Sequence, residues 1–76
     1  MYQTPSTQAG NILNKYVRPS IGYSVTVWTF KNSKELKKAY SEILEAVGGF
    51  ISLIKIKTHT DEQTPRGKQN FIQIFN

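Results

Sequence analysis

The stretch from Tyr23 to Lys57 constrains this chain more than any other, because its local signals agree on strand, capped helix, Gly-Gly turn and strand. Ile21, Tyr23, Val25 and Val27 alternate with Ser24, Thr26 and Trp28, the period-two pattern of a sheet with one drier face. That predicts a strand from Ile21 to Phe30. Asn32 is placed to cap the helix that follows, with Glu35 three residues on as in a capping box. Leu36, Tyr40, Ile43, Leu44 and Val47 then mark one helical stripe. Gly48 suits the left-handed residue that ends a helix, and Gly49 frees the turn. The run from Phe50 to Lys57 begins apolar on both faces and predicts a second strand at the centre of the sheet.

A polar connection follows, Thr58 to Gln69, long for a hairpin and of a length that is usually functional or disordered. Phe71, Ile72, Ile74 and Phe75 predict a terminal strand antiparallel to the second. Residues 1–10, rich in Thr, Ser, Gln, Pro and Gly, predict a flexible arm. Ile12, Leu13, Tyr16 and Val17 suit a short helix starting near Ser6 or Thr7 and stopped by Pro19, or an extended segment laid across the sheet. The expected fold class is α+β. It is a single domain over residues 11–76 with a polar loop at 58–69, ordered (α)βαββ. One amphipathic helix lies on a three-stranded sheet, and a right-handed crossover sets its first two strands parallel.

A chain of 76 residues makes one domain near the small end for independent folding, where about 60% of the unfolded surface is buried. The hydrophobic fraction of 38% implies a thin core, open to completion by a partner or a second copy in a homodimer. The absence of Cys excludes disulfides, thiolate chemistry and cysteine-rich zinc sites. No apolar run approaches the ~20 residues that span a bilayer, and Met1 to Pro5 lacks the pattern of a signal peptide. The expectation is a cytoplasmic protein without a membrane partner.

Chemistry is sparsely represented. His59 sits near Asp61 and Glu62, but no second His exists, and a polar loop offers little preorganisation for a metal or for proton transfer. Ser24, Ser33 and Ser41 have no base partner, and Gly48-Gly49 follows a helix where a phosphate cradle precedes one. The reading is non-enzymatic, with no metal and no cofactor.

Charge is the stronger clue. Ten Lys plus Arg against five Asp plus Glu leave +5, which favours nucleic acid or an acidic protein surface. Eight of the ten are Lys, a point charge suited to phosphates more than to base edges. Lys31, Lys34, Lys37 and Lys38 crowd the start of the helix while Glu42 and Glu45 stand at its end, the reverse of what the helix dipole prefers. Glu35 partly offsets this, and Lys38 with Glu42 predicts an i, i+4 pair. Lys55, Lys57, Arg66 and Lys68 would extend an anion-binding track. If Val25 and Val27 face the helix, Trp28 and Phe30 share the far face with Leu53, Lys55 and Lys57, an aromatic and basic surface like those that stack unpaired bases. The alternatives for that face are cover by the N-terminal segment and a protein contact.

The run Gly48-Gly49-Phe50-Ile51-Ser52-Leu53-Ile54, after an amphipathic helix and a strand, resembles the Gly-Gly-x-Ile-x-x-Ile ending of the small basic phycobilisome rod-cap linker domain. The resemblance covers about half the chain and implies a non-enzymatic linker docking inside a phycobiliprotein ring. This chain has Trp28-Thr29-Phe30 where the family has Val-Pro-Tyr, its helix is longer, and the family's paired upstream arginines are absent. Two functions are therefore expected. The first is a nucleic-acid-binding module with Trp28 or Phe30 stacking a base. The alternative is a protein-binding adaptor, linker or inhibitor of the phage-regulator or phycobilisome-linker kind. It would use the sheet face or the terminal strand edge, with a hot spot at Trp28, Phe71 or Phe75.

Overall fold

Helix α1 spans Pro5–Asn14 because its start is well capped. The Thr4 hydroxyl accepts the Thr7 N–H at 3.1 Å, and Pro5 stands at the first helical position, where no N–H is needed. The computed structural model describes residues 4–75. The expected flexible arm at 1–10 therefore becomes helix from Pro5 onward, with Ala9 wholly buried, while residues 1–3 lie outside the described residues. Helix α2, Ser33–Val47, begins where Asn32 Oδ1 accepts the Glu35 N–H at 2.9 Å. It ends at Gly48, whose positive φ of 54° suits glycine as expected, but whose ψ of −129° lies outside the left-handed helical conformation that was expected of it.

The strands are β1 Ser20–Ile21, β2 Val25–Phe30, β3 Ile56–Thr64 and β4 Gly67–Phe75, in the spatial order β1-β2-β4-β3 with every pair antiparallel. The terminal strand is antiparallel to β3, as expected. Strands β2 and β3 point the same way, but β4 lies between them, so β3 is an edge strand and not the central one.

Three expectations are corrected at this level. The predicted strand from Ile21 to Phe30 is a small hairpin, turned at Gly22, whose N–H donates to the Val25 carbonyl at 2.8 Å. The first half of the predicted Phe50–Lys57 strand is a 3-10 helix, Gly48–Leu53. Its threefold period puts Ile51 and Ile54 inward and Phe50 and Leu53 outward, which reads in sequence as a run apolar on both faces. The predicted polar loop at 58–69 is most of a β-hairpin that runs on past the end of β2. Out there no helix covers it, so polar side chains suit both of its faces. Its turn is tied by the Thr64 hydroxyl, which donates to the Gly67 carbonyl at 2.7 Å and accepts the Arg66 N–H at 3.1 Å. The sheet thus has four strands where three were expected.

A bulge between His59 and Glu62 bends this hairpin. Asp61 sits there at φ 51°, and its N–H donates to Oδ1 of the buried Asn70 at 2.8 Å. Both helices cover one face of the sheet. The core joins Ala9, Ile12 and Leu13 of α1 and Leu36, Ala39, Ile43 and Val47 of α2 to Trp28, Phe30, Ile54, Ile72 and Ile74. Leu44, expected in the buried stripe, is exposed, and Ala39 takes the inner position.

Candidate nucleic-acid interface on the open sheet face

With both helices on one side, strand alternation decides which side chains the other side presents. Trp28 and Phe30 face the helices and are 4% exposed, so neither can stack a base or anchor a partner. This reverses the expected facing. The period-two pattern names two faces of β2, both apolar, and does not say which one is covered. What decides it is α1, whose Asn14 Oδ1 accepts the Trp28 indole N–H at 2.9 Å, so the ring enters the core with its polar atom satisfied. Tyr16 closes over Phe30, with ring centroids 6.4 Å apart. The N-terminal segment does cover these aromatics, from the same side as α2.

The open face is built by register. Thr29, Phe71 and His59 stand in one row across β2, β4 and β3, and Val27, Gln73 and Lys57 form the next. Val25 and Phe75 form a third, which Lys55 completes by accepting the Phe75 N–H at 2.8 Å. The His59 and Phe71 rings are stacked, with centroids 4.3 Å apart and planes 15° from parallel. His59 Nε2 lies 2.8 Å from Gln73 Oε1, and Nδ1 lies 3.6 Å from a Glu62 carboxylate oxygen. His59 is therefore a strand residue locked into a cross-strand cluster, where the sequence placed it in a loose loop. Among the described residues no group of three His, Asp or Glu side chains could hold a metal ion, and no pocket is enclosed.

The eight basic residues singled out by sequence do not share one surface. Lys55 and Lys57 lie with Phe71 and Phe75 on or beside the open face. Lys34, Lys37 and Lys38 stand exposed on α2, in the opposite layer, with Lys31 just before it. Arg66 and Lys68 are carried out on the β3–β4 hairpin. None of the eight makes an ion pair within 4.0 Å among the described residues. The expected Lys38–Glu42 pair is absent because Glu42 turns to α1: it accepts the Tyr16 hydroxyl at 3.0 Å and lies 3.9 Å from Lys15. Burial first, then the hydrogen bond to Glu42 and the charges of Glu42 and Glu35, hold the Tyr16 phenol above its ordinary value of 10.0. The Asn32 cap occupies one amide of the α2 N-terminus, so that end is less open to an anion than its lysines suggest.

No protein-family model, curated protein or solved structure matches the chain. The Gly48–Ile54 run that resembles the phycobilisome linker ending is occupied here by the 3-10 helix and its C-terminal cap. No helix among the described residues is long and apolar enough to cross a membrane.

Proposed function

We propose that this protein is a non-catalytic, cytoplasmic binding module that takes single-stranded nucleic acid on its open sheet face. The observation that carries the reading is the placement of both helices on one side. It leaves Phe71, Phe75 and His59 interleaved with Lys55 and Lys57 on the other. Aromatic rings on a flat sheet receive unpaired bases, while ammonium groups alongside neutralise phosphates. A duplex offers neither free base faces nor a shape that lies along a sheet of this size. Phe71 and Phe75 replace Trp28 and Phe30 as the stacking residues. Lys31, Lys34, Lys37, Lys38, Arg66 and Lys68 add to the field that draws the strand in.

The test is fluorescence anisotropy with labelled single-stranded and duplex oligonucleotides at low salt. Single strands bind more tightly, and Phe75→Ala weakens them by fivefold or more, since stacking is worth about 1–3 kcal/mol per base. Lys55→Gln with Lys57→Gln lowers both affinity and salt dependence. Equal affinity of the wild-type and Phe75→Ala proteins for every strand would falsify the reading.

One observation favours a second reading, a contact with an acidic protein surface. Ile21, Tyr23, Phe50 and Leu53 are between 62% and 104% exposed. Ile21 and Tyr23 stand at the β1–β2 hairpin, and Phe50 and Leu53 in the 3-10 helix that leads into β3, the strand at the opposite edge of the sheet. Large apolar groups in water mark an interaction surface. Tyr23→Ser with Leu53→Ser separates the two readings: oligonucleotide binding survives it, and a protein contact through these groups does not.

A further inference from the structure

Strand β3 forms one edge of the sheet, and we infer that this edge pairs with β3 of a second, inverted copy of the chain, making a symmetric dimer with one continuous sheet. The inference goes beyond the proposed function and does not depend on what the open face binds. The sheet ends in β1 on one side and β3 on the other. Strand β1 has two residues, too few to template a partner, whereas β3 has nine. The helices stop short of β3. In the row formed by Trp28, Ile72 and Thr58, the first two side chains are buried and Thr58 is exposed. The main chain there also faces outward. Phe75 N–H donates to the Lys55 carbonyl, so Lys55, Lys57 and His59 turn their N–H and C=O groups toward β4. Thr58 is out of step with them and turns both of its groups away from the sheet.

Charge names the occupant. Lys55 stands just before β3 and Lys57 in its first turn of the pleat, while Asp61 and Glu62 lie beyond the strand's midpoint, and all four are exposed. Among the described residues neither lysine nor Asp61 has an ion-pair partner. Because the strand is basic first and acidic later, an antiparallel copy sets each basic end against an acidic one, twice over by symmetry. The register with His59 at its centre places Lys57 of each copy across from Asp61 of the other, and Thr58 across from Thr60. A bulge and a lysine on an edge keep foreign strands away. Here they narrow the choice of partner, since a strand of the same charge order laid parallel would meet lysine with lysine, and the inverted copy meets each charge with its opposite. The bulge also ends the ladder after Thr60, so the contact is short and the dimer weak. The twofold axis stands perpendicular to the sheet, which puts the helices of both copies on one side and both open faces on the other.

Sedimentation equilibrium of the full chain at low salt, at protein concentrations up to about 1 mM, reads the association. The wild-type protein is expected to show a monomer–dimer equilibrium that weakens as salt is raised. Thr58→Pro removes the outward N–H and sets a proline ring in the partner's path. That N–H makes no bond to β4, so circular dichroism should show the fold kept while the dimer is lost. Asp61→Asn removes the charge with a side chain that tolerates the positive φ of this position. It is expected to weaken the dimer by about twofold to thirtyfold, the worth of two symmetric cross-strand pairs. Lys57→Glu sets like charges opposite each other and weakens it further. A chain that stays monomeric throughout overturns the inference and leaves the edge to a strand of another protein. A dimer that a folded Thr58→Pro protein retains, or that Tyr23→Ser with Leu53→Ser abolishes in its place, is built on another surface and overturns it as well. Should Thr58→Pro fail to fold, a dimer affinity indifferent to both Asp61→Asn and Lys57→Glu has the same consequence.

Discussion

Tyr16 shows how one side chain links two helices that the sequence presents as independent. Its hydroxyl donates to Glu42, and its ring lies against Phe30, so the segment after α1 is pinned to α2 and the sheet at once. The same contact gives Glu42 a purpose near the end of α2, where a carboxylate is unfavourable to the dipole. A pH signature follows. Tyr16 holds its proton more tightly in the folded state than in the unfolded one. Its contribution to stability is thus complete below the unfolded value of 10.0 and is lost as pH rises through the higher folded value. Urea denaturation of the wild-type and Tyr16→Phe proteins from about pH 8 to about pH 11 should show their difference in stability shrinking across the alkaline limb. A difference constant over that range would mean that the folded state holds the Tyr16 proton no more tightly than the unfolded one.

At the scale of the element, α1 meets the sheet through Trp28, and Gly10 is where it passes over the indole. A Cβ added at Gly10 would lie 3.7 Å from the ring, an ordinary van der Waals contact. Nothing in the backbone there demands glycine. Gly10→Ala is therefore expected to stabilise the protein by about 0.5–1 kcal/mol, the usual gain for replacing glycine inside a helix. A urea midpoint that fails to rise would show that α1 approaches Trp28 more closely than this. Trp28 itself belongs to the fold and not to any interface. Truncation to alanine costs about 3–5 kcal/mol, a large share of the stability of so small a domain. The milder Trp28→Phe should lower the denaturation midpoint while leaving the oligonucleotide affinity of the folded protein unchanged. Loss of affinity in a folded Trp28→Phe protein would restore the indole to the binding surface.

For the molecule as a whole, charge and shape divide the labour. The +5 charge is spread over the open face, α2 and the projecting hairpin, so it acts as a field more than as a pocket. Affinity for a single strand should therefore fall with salt, each neutralised phosphate contributing about −0.7 to the slope of log K against log salt. Removing Lys55 and Lys57 together should reduce that slope by about 1.4 if both contact phosphate. Replacing two lysines of α2, such as Lys37 and Lys38, should slow association with a smaller change in slope. A slope indifferent to Lys55 and Lys57 would move the phosphate track off the open face.

The α+β class, the α2 helix with its Asn32 start and Gly48 end, and the terminal strand were legible in the sequence because each is set by neighbours in the chain. Capping, turn conformation and hydrophobic period are local matters. The extended hairpin was not legible, because an arm that runs beyond its neighbouring strand has no dry face to produce a pattern. The Tyr16–Glu42 and His59–Gln73 contacts span 26 and 14 positions, and no spacing rule reaches that far. The candidate site was half visible: Lys55, Lys57, Phe71 and Phe75 stood out by type, whereas His59 was read as solvated and Gln73 passed unnoticed. The sequence by itself determined that β2 has two apolar faces. Only the tertiary structure decided which of them is dry, because that depends on where α1 returns. By accepting the Trp28 N–H at Asn14 it drew the larger aromatics inward and left the other face of the sheet to water.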